Sequence, residues 1–136
     1  MTWRPIAGVI LGFAVWWLLF FAIGVGIGQL WPEYRDAARV MFQERSFRLF
    51  TPPMLIANLL LFAVAGLVVG CVSTLIGKSR TSALVLSGLL FIYAGIEHYR
   101  LLWDRLPPWY NLIVPVVIAG FVWLGSHIPP VRARAT

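Results

Sequence analysis

From residue 5 to residue 30 the chain carries no charged side chain, and almost every residue is apolar. The hydrocarbon core of a bilayer is about 30 Å thick and takes about 20 helical residues to cross. A stretch this long and this apolar is at home only in lipid. Three more uncharged stretches follow, at 52–76, 82–96 and 109–126. The pattern predicts an all-α integral membrane protein, a single four-helix transmembrane domain over 1–136. Its spans are expected at about 5–30, 52–76, 82–103 and 109–126, arranged as an up-down bundle.

Composition points the same way. Apolar residues make up 60% of the chain and charged residues 12%. Soluble domains hold about 45–50% and about 25% respectively. Disorder is excluded as well, since it needs low hydrophobicity and high charge. The first span follows Arg4 as an apolar segment follows the basic start of a signal peptide. It far exceeds the about 7–15 residues of a cleavable segment, and no small-residue cleavage site follows. A retained signal anchor is therefore expected.

Proline marks the borders, at Pro5, Pro32, Pro52–Pro53, Pro107–Pro108 and Pro129–Pro130. Thr51 before Pro52 reads as a helix N-cap followed by proline in the first turn. Thr81 or Ser82 is the expected cap of the third span. Pro115, inside the fourth, predicts a kink. The second connection, Gly77-Lys78-Ser79-Arg80, is a tight turn joining two helices. The first connection is longer and patterned: Tyr34, Ala37, Ala38, Met41 and Phe42 recur at helical spacing. Glu33, Asp36, Arg39, Gln43 and Glu44 occupy the other faces. This predicts a short amphipathic helix at about 33–48, too charged to span and suited to the membrane interface. Asp36–Arg39 and Glu44–Arg48 are spaced to pair along it.

The net charge of +6 comes from eleven basic and five acidic residues. One side of the membrane receives Arg4, Lys78, Arg80, Arg132 and Arg134. The other receives Arg35, Arg39, Arg45, Arg48, Arg100 and Arg105, together with all five acids, Glu33, Asp36, Glu44, Glu97 and Asp104. Raw counts do not fix the orientation. The short, purely basic second connection favours both termini in the cytoplasm of a bacterial-type inner membrane. Trp3, Trp31, Trp103, Trp109, Tyr110 and Trp123 fall near borders, as interfacial aromatics do. The basic residues suit lipid headgroups, and no motif points to nucleic acid.

Small residues recur four apart: Gly8 and Gly12, Gly24 and Gly28, Gly66 and Gly70, the last pair continuing through Ser73 to Gly77. Such GxxxG stripes let helix backbones approach closely. They serve either the chain's own bundle or contact with a second copy or another membrane protein.

Polar residues gather toward one border. Tyr93, Glu97, Arg100 and Asp104, at i, i+4, i+7 and i+11, are expected to share a helical face, and His98 to point to another. Asn58 lies about 9 Å below the same border, at about 1.5 Å per residue from Pro52. The plain reading is an interfacial Glu97–Arg100 ion pair. The sharper one is a hydrated outward pocket formed by Asn58, Tyr93, Glu97, His98, Arg100 and Asp104. His98 and His127 end opposite borders and cannot share a metal. Cys71 is the only cysteine, which excludes a dithiol redox centre. No nucleophile-and-base set and no phosphate loop occur, and the mid-span Trp16–Trp17 pair reads as packing. No cofactor is expected.

Function is expected to be non-enzymatic: an accessory, assembly or interaction protein in contact with membrane lipids. The alternative is a small oligomeric transporter or channel with a path near Asn58, Tyr93 and Glu97. A lipid-modifying enzyme is the third reading.

Overall fold

In a computed structural model, residues 3–130 are described; Arg132 and Arg134 lie outside them. The described chain is helical, with α1 (Arg4–Leu30), α2 (Pro32–Glu44), α3 (Pro52–Gly77), α4 (Arg80–Arg100) and α5 (Pro108–Gly125). Helices α1, α3, α4 and α5 are long and apolar enough to cross a membrane.

Local chemistry sets the ends. Pro32, Pro52 and Pro108 each open a helix at a position where a backbone N–H would have no partner. Helices α2 and α3 stop where Arg45 (φ 51°) and Lys78 (φ 50°) turn into the left-handed region. Four boundary expectations need correction. Thr51 makes no side-chain cap, because proline at the first turn already removes one orphan donor. Ser79, not Thr81 or Ser82, caps α4, its hydroxyl accepting from the Thr81 N–H at 3.1 Å. Helix α4 also begins and ends earlier than expected: turns at 101–106 replace the last turn of the predicted span, and α2 stops at Glu44 rather than near 48. Helix α5 continues through the buried Pro115.

Helix α3 is central, with α1, α4 and α5 all packed on it. Glycine decides how closely. A methyl group on Gly8 would lie 2.7 Å from the Ser73 carbonyl oxygen, and one on Gly12 would lie 2.5 Å from a Leu86 methyl. Gly77 is pressed against the Ser82 side chain, Gly66 against Phe121 and Ile118, and Gly70 against the Val122 carbonyl. Gly125, which the sequence pattern did not single out, sits against the Leu67 carbonyl. These faces are occupied by the chain's own helices. The Gly24–Gly28 pair behaves differently. A methyl group on Gly28 would lie 3.2 Å from the Arg35 Cβ, but one on Gly24 would find nothing from the rest of the fold closer than a Leu61 methyl at 4.0 Å. Helix α1 is therefore held tightly near its amino-terminal end and stands off along its carboxyl-terminal half.

Candidate functional site

The standoff leaves a cavity of about 570 Å³. Along α1 it runs from Trp16 to Gln29, which is about 20 Å at 1.5 Å per helical residue. Its apolar wall is largely aromatic. Phe62 of α3 is stacked between Trp16 (6.0 Å, 19°) and Phe20 (6.0 Å, 7°) of α1. Trp17 stacks on Phe21 and meets the edge of Tyr93 at 6.1 Å. Leu90, Val114 and Ile118 line the deep end, and α2 contributes Tyr34, Arg35, Ala38 and Phe42 at the other.

The polar groups lie toward the α2 end. The Tyr34 hydroxyl donates to the Asn58 side-chain carbonyl, joining α2 to α3. Tyr34 is 4% exposed, and burial pushes its phenol above the ordinary value of 10.0. The Tyr93 hydroxyl donates to a Glu97 carboxylate oxygen at 2.9 Å, one turn along α4. His98 is buried, and its Nδ1 lies 2.8 Å from the Asn111 Oδ1 of α5.

Asn111 determines how that histidine is protonated. Its amide nitrogen donates to the carbonyls of Leu102 and Leu106, both at 3.2 Å. That leaves Oδ1, an acceptor only, facing the imidazole, so the network assigns the proton to His98 Nδ1. The Nε2 atom then carries the lone pair in the neutral ring. It has no partner among the described residues. It is also not among the buried polar atoms sealed without a partner, which are Ser73 Oγ, Thr74 Oγ1 and Ser82 Oγ. Since His98 lines the cavity, its free edge opens there. The turns that follow α4 are tied down separately, by the Arg105 guanidinium donating to the Arg45 carbonyl at 2.9 Å.

Of the residues expected to form a polar pocket, Asn58, Tyr93, Glu97 and His98 line this one cavity. Arg100 and Asp104 do not. Helix α4 ends at Arg100, so Asp104 falls in the following turns and leaves the face it was expected to share. Arg100 flanks a separate shallow depression with Glu97. The Glu97–Arg100 ion pair does not form. The ion pairs among the described residues are Asp36–Arg39 at 3.9 Å and Glu44–Arg48 at 3.2 Å, and Glu97 takes the Tyr93 hydroxyl instead. His98 and Glu97 both reach the cavity although adjacent helical residues diverge by about 100°. The cavity wraps around this side of α4 widely enough to take both. Two contributors were read from sequence in other roles, Tyr34 as part of the apolar face of α2 and Tyr110 as an interfacial aromatic, and Asn111 lies in the first turn of α5. Only pairing across helices shows their place.

Among the described residues no group of three or more histidine, cysteine, aspartate or glutamate side chains could hold a metal ion. No protein-family model, curated protein or solved structure matches this chain.

Proposed function

We propose that this is a multi-pass membrane protein of non-enzymatic, accessory type that holds one lipid-derived amphiphile in the cavity between α1 and α4. In this reading the four long helices form an up-down bundle in a bacterial-type inner membrane, with both termini cytoplasmic and α2 in the outer interface. The observation that carries the proposal is the cavity itself. Its size falls within the about 300–1,000 Å³ of small-ligand sites. Its walls are aromatic and aliphatic through the depth of the span, and its polar groups gather at one end, the layout of a tail and a headgroup.

The transporter reading is less well supported. The other end of the bundle is shut by the Gly8, Gly12 and Leu86 packing. Ser73 and Thr74 are sealed there, and Ser87 is committed to the Ala119 carbonyl at 2.9 Å. Among the described residues nothing polar continues the cavity through a single copy. A lipid-modifying enzyme has less support, because the cavity lining holds no serine, threonine, cysteine or lysine beside its histidine and glutamate.

Native mass spectrometry of the full chain extracted in mild detergent tests the proposal. One lipid-derived adduct per chain is expected. Gly24→Leu and Gly24→Phe add bulk into the open space beside Leu61 without a backbone clash, and the adduct should be lost in both. A wild-type chain with no adduct, or variants that keep it while remaining folded, would overturn the reading.

A further inference from the structure

We infer that the polar end of the cavity recognises a neutral headgroup bearing a hydroxyl. This rests on the proposed occupancy of the cavity by an amphiphile and specifies its chemistry. Two unused hydrogen-bonding groups carry the argument. With its Nδ1–H committed to Asn111, neutral His98 offers an acceptor at Nε2. Asn58 accepts the Tyr34 hydroxyl at Oδ1 and gives one amide N–H to the Tyr110 hydroxyl, which leaves its second N–H as a donor. Both residues line the cavity, as does Tyr110, whose ring centroid lies 5.8 Å from that of His98. One acceptor and one donor are the complement of a single hydroxyl, which donates its proton to one and accepts from the other.

Other headgroups fit less well. An ester, ether or quinone oxygen accepts only. It would satisfy Asn58 and leave the His98 lone pair facing an apolar ligand. A carboxylate or phosphate would face the same lone pair and also Glu97, whose carboxylate lines the cavity and is held there by Tyr93. Arg35 lines the α2 side, so an anion has a competing attraction at the roof. That competition decides the experiment. The hydroxyl could belong to a long-chain alcohol, a monoacylglycerol or a quinol, which share this chemistry.

The test uses the full chain in mild detergent and chain-matched probes in competition, with retained ligand read by native mass spectrometry. The probes are cetyl alcohol, its methyl ether and palmitate. Monopalmitoylglycerol and a reduced quinone compared with its oxidised form identify the source of the hydroxyl. The alcohol should be retained at least about tenfold over the ether and over palmitate, the scale set by leaving one buried polar group unpaired. His98→Phe should bring the alcohol-to-ether ratio close to one. Asn58→Leu should weaken alcohol and ether alike and leave their ratio intact, because both use that donor. Equal retention of alcohol and ether by the wild-type chain overturns the inference while leaving the cavity reading standing. So does a preference for palmitate that Arg35→Gln abolishes. Binding of none of the probes overturns the cavity reading itself.

Discussion

Asn111→Leu is the most informative single substitution. The leucine has a similar volume but cannot bond to His98 or to the loop carbonyls. The Leu102 carbonyl also accepts from the backbone N–H groups of Arg105 and Leu106, both at 3.0 Å, so it loses little. The Leu106 carbonyl and the His98 Nδ1–H lose a close partner, at 3.2 Å and 2.8 Å. Each buried polar group left unpaired costs about 1–3 kcal/mol. Both lie near the helix ends, where some relaxation is available, so the loss should be about 2–4 kcal/mol. At 1.4 kcal/mol per factor of ten, that is about a 30- to 700-fold fall in the folding equilibrium. Reversible unfolding in mild detergent, followed by far-ultraviolet circular dichroism, measures it. Nitrogen-15 shifts of His98 report the tautomer in parallel: Nδ1–H in the wild-type chain, and a mixture of tautomers in Asn111→Leu. A variant within about 0.5 kcal/mol of wild type, the range of an ordinary surface change, would refute the reasoning. So would an unchanged tautomer.

Three further outcomes are expected. Gly70→Ala should cost about 1–3 kcal/mol as the new methyl drives α5 off α3 at Val122, whereas Gly88→Ala, with open space around it, should be neutral or stabilising by up to about 1 kcal/mol; thermal melts of the two compared side by side check this. The raised Tyr34 pKa means that the unfolded chain releases that proton first as pH climbs past 10.0. Its contribution is therefore fully present below pH 10 and declines above it; the alkaline fall should be shallower in Tyr34→Phe, and identical slopes in wild type and variant would count against the buried phenol. A periplasmic reporter fused after Arg45 should be active and one fused after Lys78 inactive, and the reverse pattern would invert the proposed orientation.

What could be read from sequence followed the reach of each signal. Apolar run length and proline position depend on neighbours in the chain, and they located all four long helices closely. The end of α4 went wrong because the sequence keeps a helical polar spacing through Asp104, while Leu101 and the turns after it are already bending toward Pro107. The glycines at positions 8, 12, 66, 70 and 77 were visible as small residues, but not the helix each one faces. Gly125 has no partner four residues away and so gave no pattern. The candidate site was half legible. Tyr93, Glu97 and Asn58 stand out as polar groups in apolar runs. Asn111 and Tyr34 act through partners thirteen and twenty-four residues distant, and no local period encodes such a pair.

The cavity follows from an uneven distribution of side-chain bulk along α1. Near Gly8 and Gly12 the helix has nothing to hold it away from Ser73 and Leu86, and dispersion draws the backbones together. Beyond Val15 the facing residues become Trp16, Trp17, Phe20 and Phe21, and their rings keep α1 away from α3 and α4. The helix cannot swing further out, because its far end turns directly at Trp31 into α2, which Tyr34 fastens to Asn58. A gap of this size, left empty, forfeits the dispersion contacts its lining would otherwise make. In a bilayer the surrounding molecules are themselves long and apolar, so one of them can fill it at no hydrophobic cost. What distinguishes a recruited ligand from a passing acyl chain is then the polar end alone, and there the His98–Asn111 pair holds one acceptor in a fixed tautomer.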